Sequence, residues 1–570
     1  MGLLYKQLLK QISRCKIFVV LLLLLTMLTS LSFFFVIFSI DGNMDILNTL
    51  PDLTENQQLY RNALKTNTTL AYAFFVSLAG LTAFVFVMFF YRFYRSNRKQ
   101  IGCIKSLGFK DSALRTCFIA FVTVLSIAGA VLGLIGGYFL SSVLINANTR
   151  TYSVTGLIKG VSLSNLIAGL AGSTVTFCIT AFLCYSFVRG KEPGVLIAGN
   201  QNYTRFSFVL RAANKISGII PVKNKFPLRI ALRKPHAVLM IFAAAMSFCV
   251  CMILGRSLNI SSQSVFDSQT LGHNYAYDTT YSEYQINPAL QNAVMYLDSP
   301  VMLNIGSYDI EQIIIGLYNL NRVYELQNIN GDMLPLPEKG TVYINPGLSE
   351  IYGVNVGDTL ITDIAGETYT FIVVEIAANA KSASIYIDAN ELTEILEVQA
   401  GTYNGILSME EMADGAAITK AQRIDNLNRS AVSNSISAII NQVTGGIVGA
   451  ILIFLALYVN FQDNTRDMLI LYIMGYQIKN IRNLLIDVYR PIVWMAFLLT
   501  IGPSILLAGS IQKSLSISTN DYMPFRTNII VVLMIFVLLN IIYWLVQVMF
   551  GLGIRRTIVR EEISETIYAE

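Results

Sequence analysis

Eight long apolar runs constrain the fold of this chain more than any other feature. Each has roughly 20 or more mostly apolar residues, enough to cross a hydrocarbon core of roughly 30 Å as a helix. They cover residues 17–40, 70–91, 118–144, 163–188, 237–254, 436–459, 484–507 and 529–550. Of the 570 residues, 54% are hydrophobic and only 14% are charged, which excludes an ordinary soluble protein. The sequence predicts an α-helical polytopic membrane protein with eight transmembrane helices.

The segment between the fifth and sixth runs is long enough to form a domain. Residues 257–434 hold six Lys or Arg and 22 Asp or Glu, a net charge of −16. The loops at 91–115 and 189–235 instead carry seven and ten Lys or Arg, with one acidic residue each. Because basic loops stay on the cytoplasmic side, we expect the acidic segment outside the membrane and both termini in the cytoplasm. The expected location is a bacterial cell membrane.

Turn signals and β-branched runs predict an α+β fold for the acidic segment. Strands are expected at residues 341–344, 359–363, 369–376 and 383–387. Helical pieces are expected at residues 348–353, 392–398 and 409–413. A hairpin turn is predicted at Ala365 and Gly366, and residues 418–437 are predicted to continue as one helix into the sixth span.

The eight runs fall into two groups of four with the same order of elements. In each group a span, an outer segment and a second span lead to a short basic helix, and two more spans follow. Internal duplication explains this order. The predicted units are a first four-span unit (1–190), a basic cytoplasmic linker (191–235), the fifth span (236–256), the outer domain (257–434), the last three spans (435–553) and a cytoplasmic tail (554–570).

The short basic helix occurs once in each half, and each copy ends at a glycine followed by an aromatic residue. The first copy contains Arg98, Lys99, Gln100, Ile101, Ile104, Leu107, Gly108 and Phe109. The second contains Arg466, Asp467, Met468, Leu471, Met474, Gly475 and Tyr476. Apolar spacing predicts that Ile101, Ile104 and Leu107 share one helical face, and Gly108 is placed to end the helix in a left-handed cap. We expect both helices to lie across the cytoplasmic mouth of the bundle, where a partner can bind them.

Residues that could carry chemistry are scarce. The outer domain has one histidine, His273, no cysteine and no Gly-x-Ser-x-Gly nucleophile turn, so a membrane enzyme is disfavoured. The sequence contains no Cys/His cluster of the kind that binds zinc, so a zinc site is not expected. All seven cysteines lie in or beside spans or on the inner side, so disulfides do not stabilise the outer domain, which favours a single-membrane, Gram-positive bacterium. No catalytic, cofactor-binding or metal-binding residue is assigned.

The pattern resembles a known family. Each four-span unit with its basic, glycine-ended helix resembles the FtsX-like permease domain of MacB-type ABC transporters, although that family often has Glu at the positions of Gln100 and Asp467. Residues 352–360 and 366–374 look like the β subdomain of the family's extracytoplasmic core, and residues 191–196 are similar to the segment after its fourth span. One large outer domain in a duplicated chain is closest in layout to BceB-type peptide-resistance permeases. Those have ten spans, and we count eight.

The resemblance implies a permease that works with a separate ATPase. The sequence has no Gly-x-x-x-x-Gly-Lys-Ser/Thr phosphate loop, so ATP and Mg²⁺ would be bound by a partner chain. The resemblance implies two ABC ATPase subunits, one beneath each short helix, whose closure moves the outer domain mechanically. It also implies a peptide or lipopeptide ligand, exported or removed from the membrane, with antimicrobial-peptide resistance as the role.

Other partners and functions follow from the same resemblance. A sensor kinase is a candidate partner, the lipid bilayer surrounds the spans, and no nucleic-acid partner is expected. The alternative function is an FtsX-like regulator that transmits ATPase motion to a cell-wall hydrolase and transports nothing. Few charged residues interrupt the spans, which argues against an ion pathway. The sequence does not identify the substrate-binding residues.

Overall fold

The computed structural model describes residues 16–51, 53–152, 154–198, 235–286, 292–306, 308–412, 415–463, 470–485, 487–519 and 522–560. Its helices are α1 (Lys16–Thr49), α2 (Glu55–Ser96), α3 (Arg98–Ser106), α4 (Asp111–Tyr152), α5 (Leu163–Cys184), α6 (Pro193–Ala198), α7 (Pro235–Thr270), α8 (Pro346–Tyr352), α9 (Ala389–Ile395), α10 (Lys420–Asp463), α11 (Ile478–Leu485), α12 (Arg490–Thr519) and α13 (Ile529–Arg560). Within these ranges, α1, α2, α4, α5, α7, α10, α12 and α13 are long and apolar enough to cross a membrane. The predicted eight spans are confirmed, and the chain is a multi-pass membrane protein.

Both halves of the bundle repeat one packing scheme. In the first half α1 packs along α2 and α4, and in the second half α7 packs along α10 and α12. One continuous apolar core joins the halves, because Phe86 and Phe90 of α2 belong to the same buried cluster as Leu452 of α10 and Phe497 of α12. The two halves therefore form a single bundle.

Glycines allow the closest approaches between helices. A β-carbon at Gly133 of α4 would lie 2.7 Å from the β-carbon of Ser30 in α1, and one at Gly445 of α10 would lie 2.3 Å from the β-carbon of Cys251 in α7. Neither distance leaves room for a side chain. Small residues of this kind bring transmembrane helices into direct backbone contact.

The acidic segment folds around a closed β-barrel. Its strands are β1 (Tyr277–Ile286), β2 (Ala293–Ile305), β3 (Tyr308–Leu317), β4 (Thr341–Ile344), β5 (Thr359–Ile364), β6 (Glu367–Ile376), β7 (Ser384–Asp388), β8 (Thr402–Ser408) and β9 (Ala416–Thr419). The order β2-β3-β7-β4-β6-β5 returns to β2, since β2 pairs with both β3 and β5. Strands β8, β1 and β9 continue the sheet beyond β2. We call residues 271–419 the barrel domain.

Most local predictions for the barrel domain are confirmed. The four predicted strands correspond to β4, β5, β6 and β7. Ala365 and Gly366 have φ angles of 53° and 90°, which makes the turn between β5 and β6 left-handed at both central residues. Helix α8 ends at Gly353, whose φ is 78°. The helical piece predicted at 409–413 is wrong, because residues 409–412 form a bend and an irregular segment.

Two long helices join the barrel domain to the bundle, and we call α7 and α10 the stalk helices. The prediction that the segment after β9 continues into the sixth span is confirmed, with α10 running unbroken for 44 residues from Lys420. At about 1.5 Å per residue, α10 is about 66 Å long. The stalk helices pack along each other. A β-carbon at Gly255 of α7 would lie 2.7 Å from the carbonyl oxygen of Ala438 in α10.

Candidate coupling site

Helix α3 lies at the end of the bundle opposite the barrel domain. Leu70 and Ala71, in the first part of the span in α2, line one crevice with Ile440 and Thr444, in the first part of the span in α10. Because both spans start on the same side of the bundle and both cross the membrane, α2 and α10 run in the same direction. Since α10 leaves the barrel domain at its N-terminus, both helices end at the far side of the bundle. Helix α3 follows α2 there, and the segment 470–476 follows α10.

One face of α3 is fixed to the bundle. Ile101 is fully buried, and Ile104 packs against the apolar core. Gly102 lies against α6, where an added β-carbon would be 2.8 Å from Cγ1 of Ile197 and 3.1 Å from the carbonyl oxygen of Pro193. Because only glycine permits this approach, α6 holds α3 from the side.

Lys105 ties α3 to the spans that flank it. Its ammonium nitrogen lies 2.6 Å from Oδ1 of Asp111, in the first turn of α4, and donates to the carbonyl oxygen of Val188 at 3.1 Å. Asp111 also accepts a hydrogen bond of 2.7 Å from the hydroxyl of Tyr185, just after α5. Charge-assisted contacts of this kind are stronger than neutral ones. Sequence reasoning missed this network, although Asp111 is the one acidic residue in the basic loop 91–115.

Leu107 is a correction to the sequence prediction. Its side chain is 76% exposed, whereas Ile101 and Ile104, with which it was expected to share one helical face, pack against the core. The physical reason is that α3 ends at Ser106, so Leu107 is the capping residue and its side chain leaves the helical face. Gly108 follows with a φ of 87°, as the predicted left-handed end requires.

The remaining residues of the first copy divide between the core and the surface. Phe109 is partly buried and packs against the core. The exposed residues that we call the first coupling surface are Arg98, Lys99, Gln100, Cys103 and Leu107. This surface combines two cations with an apolar side chain and faces away from the bundle.

The second copy ends with the same geometry. Arg466, Asp467 and Met468 lie outside the described residues. Gly475 has a φ of 85°, the amide of Tyr476 donates to the carbonyl oxygen of Leu471 at 3.0 Å, and the amide of Gly475 donates to that of Tyr472 at 2.9 Å. These two bonds are the pattern of a helix closed by a left-handed glycine.

The two copies present corresponding side chains. Leu471 packs against the core as Ile104 does. Met474, which precedes Gly475, is 60% exposed, as Leu107 is exposed before Gly108. The exposed residues that we call the second coupling surface are Ile470, Ile473, Met474 and Tyr476. Grouped exposed apolar side chains are typical of sites that bind another protein.

Residues 72–193 match the FtsX-like permease C-terminal family. The matched segment begins in α2, contains α3, α4 and α5, and reaches the start of α6, so the whole first coupling surface lies within it. The match supports a permease subunit of the ABC type and implies an ABC ATPase as its partner. It does not distinguish MacB-type from BceB-type permeases. No curated protein matches the chain significantly.

Arg115 and Arg482 each follow the glycine that ends a short helix by seven residues, and the two arginines are held differently. The guanidinium of Arg115 in α4 lies 4.6 Å from the ring centre of Phe182 in α5. Arg482 of α11 instead lies 3.7 Å from Oδ2 of Asp487. Asp487 also accepts a hydrogen bond from Gln547 of α13. Each half therefore fixes the segment after its coupling surface with its own set of contacts.

A polar cluster joins the stalk helix α10 to the barrel domain, and we call it the junction cluster. It consists of His273, Tyr275, Asn379 and Arg423. The buried His273 contacts the carbonyl oxygen of Asn379 through Nε2 at 2.7 Å. Arg423, in the first turn of α10, donates to the backbone oxygen of His273 at 3.0 Å and lies 3.9 Å from the ring centre of Tyr275. Burial, with a smaller effect from the cation of Arg423, lowers the pKa of His273 to about 3, so its ring is neutral near pH 7.

Across the described ranges, no group of three or more His, Cys, Asp or Glu side chains is placed to hold a metal ion. Two surfaces suited to a protein partner lie at one end of the bundle, and the barrel domain lies at the other.

Proposed function

We propose that the chain is the permease subunit of an ABC transporter and couples ATP hydrolysis by a separate ATPase to movement of the barrel domain. The observation that carries this proposal is the unbroken helix α10. Its C-terminal end precedes the second coupling surface in the chain, and its N-terminal end is fixed in the junction cluster.

The proposed complex has two ATPase subunits, one on each coupling surface. Closure of the ATPase pair around ATP and Mg²⁺ would draw the two surfaces together. On the first side, α3 cannot move alone, because Lys105 and Asp111 join it to α4 and Gly102 holds it against α6. Force applied there reaches α2 and α4 together, and force applied beside α10 reaches the barrel domain directly.

The proposed ligand is a cationic peptide or lipopeptide that the transporter exports or removes from the membrane. Residues 257–434 carry a net charge of −16, which attracts cations before contact. Exposed apolar side chains lie on the outer face of three adjacent strands: Met302 on β2, Ile361 on β5, and Ile372 and Val374 on β6. We call these four residues the barrel patch. Acidic surroundings with an apolar centre suit a cationic amphipathic ligand.

The charge asymmetry of the loops supports the orientation that this function needs. Both coupling surfaces lie at the cytoplasmic end if the basic loops stay inside. The barrel domain then faces out, where a peptide that attacks the cell is first met. Resistance to antimicrobial peptides is the physiological role that fits this placement.

ATPase activity in a reconstituted complex tests the proposal. The chain is purified from its own cells with the ATPase that accompanies it and placed in liposomes, and ATP hydrolysis is measured with a cationic lipopeptide and with an anionic lipopeptide of the same acyl chain. We expect stimulation by the cationic lipopeptide alone. If neither lipopeptide changes the rate of ATP hydrolysis and the intact chain captures a cell-wall hydrolase, the alternative function as a regulator is supported instead.

A further inference from the structure

A second contact, separate from the stalk helices, holds the barrel domain against the bundle. Helix α8 of the barrel domain rests on residues 522–528, which connect α12 to α13. Nη2 of Arg526 donates to Oε1 of Glu350 at 2.6 Å. A β-carbon added at Gly347 would lie 3.5 Å from the β-carbon of Tyr522. The barrel domain is therefore attached covalently through the stalk and non-covalently through α8.

The connection 522–528 is fixed from below. The buried Gln512 of α12 donates to the carbonyl oxygen of Pro524 at 2.9 Å, and the buried Ser516 accepts from the amide of Met523 at 3.0 Å. The amide of Arg526 donates to the hydroxyl of Ser257 in α7 at 3.0 Å. These bonds hold the connection as a platform in a defined position.

The contact between α8 and the platform is weak compared with the packing of the stalk helices. The side chains of Glu350 and Arg526 are 37% and 47% exposed, and pairs this exposed contribute little to stability. The stalk helices, by contrast, pack along their length with direct backbone approach at Gly255 and Gly445. A movement of the stalk would therefore break the contact at α8 before it separated α7 from α10.

We propose that α8 and the platform form a releasable latch that holds the barrel domain in its resting position. Opening of the latch frees the barrel domain to follow the stalk helices. The proposal rests on the proposed function only for the motor that drives opening, since the latch itself is a property of this chain alone.

A cysteine pair at Gly347 and Tyr522 measures the closed latch directly. The 3.5 Å separation of the two β-carbons suits a disulfide, and none of the seven native cysteines lies in the barrel domain or on the platform. We expect G347C/Y522C to cross-link rapidly in the intact purified protein under a mild oxidant. Slow cross-linking, comparable with that of cysteines placed apart, would overturn the latch.

Charge reversal shows whether the ion pair keeps the latch closed. Arg526→Glu in the G347C/Y522C background should slow cross-linking about fivefold, because attraction is replaced by repulsion. Adding Glu350→Arg should restore the original rate, which excludes misfolding as the cause. Lys339→Glu is the matched control, since Lys339 pairs with Glu394 at an exposed site within the barrel domain, and its rate should stay unchanged. An unchanged rate for Arg526→Glu, or no restoration, would overturn the proposal.

The oxidised pair then separates the latch from the proposed function. In liposomes with the ATPase, the cationic lipopeptide should not stimulate ATP hydrolysis by the oxidised G347C/Y522C complex, and stimulation should return when the disulfide is reduced. Full stimulation while cross-linked would overturn the latch and leave the proposed function standing. If the reduced protein shows no stimulation, the proposed function fails, and the cross-linking rates still decide the latch.

Discussion

Lys105 and Asp111 form a 2.6 Å ion pair across the turn that carries Gly108. The lysine side chain is 7% exposed, so Asp111 and the carbonyl oxygen of Val188 supply the partners that a nearly buried ammonium group needs. The pair braces the connection between α3 and α4, which the proposed transmission of force from an ATPase requires.

Removal of the lysine tests this connection. Lys105→Met should destabilise the turn by about 2 kcal/mol, because Asp111 loses its ion pair while α3 loses its bond to Val188. Hydrogen exchange of the amides at 98–111 should accelerate, and ligand-stimulated ATPase activity should fall. The exposed neighbour Lys110 gives the control, Lys110→Met, which should match wild type in both assays.

The glycines that end the coupling segments provide a second test. Gly108 and Gly475 have φ angles of 87° and 85° with open space around them, so a substitution meets backbone strain and no clash. Gly108→Val or Gly475→Val should cost about 1–2 kcal/mol locally and uncouple ATP hydrolysis from the response to ligand. Asn tolerates this conformation, so Gly108→Asn should retain coupling. Normal coupling in the valine variants would show that these segments do not transmit force.

Adjacent glycines in α10 test the packing of the stalk. A side chain at Gly445 would overlap Cys251, whereas Gly446 has no neighbour within 4 Å. Gly445→Val should therefore lower the melting temperature and separate α7 from α10, with a loss of about 2 kcal/mol or more. Gly446→Val should change stability by less than about 1 kcal/mol. Equal effects from both variants would contradict the described contact.

The junction cluster predicts a dependence of stability on pH. Burial lowers the pKa of His273 to about 3, while the unfolded chain should show the ordinary value near 6.5. Between these values the unfolded state binds more protons, so stability should fall as the pH is lowered from 6.5 towards 3, by up to about 1.4 kcal/mol per pH unit. The melting temperatures of intact wild type and His273→Gln should diverge in this pH window. If both depend on pH in the same way, His273 does not cause the pH dependence of stability.

The sequence predicts the spans well because a helix satisfies its own backbone hydrogen bonds in lipid, so a long apolar run has few alternatives. Local turn chemistry likewise predicts the β5–β6 hairpin at Ala365 and Gly366. Closure of the barrel could not be predicted from the sequence, because it depends on strand pairing between residues distant in sequence, such as Met302 with Asp363. Such registers are set by tertiary packing.

At the coupling site, too, the sequence predicts some residue positions and not others. Helical spacing predicted one face shared by Ile101, Ile104 and Leu107. Ile101 and Ile104 do lie together, against the core, whereas Leu107 is exposed because the helix ends one residue before it. The sequence shows that Asp111 is the one acidic residue among seven Lys or Arg in the loop 91–115. It does not show which of these cations pairs with Asp111. The platform beneath α8 carried no sequence signal, since Glu350 and Arg526 are 176 residues apart.

Site-specific photo-cross-linking in native membranes tests the central claim most directly. A photoreactive residue is placed at Lys99 in the first coupling surface, at Met474 in the second, and at the exposed Tyr284 in the barrel domain as the control. We predict that Lys99 and Met474 both capture an ABC ATPase, identified by mass spectrometry, and that Tyr284 captures none. Absence of an ATPase at both coupling surfaces, or its capture at Tyr284, would contradict the account.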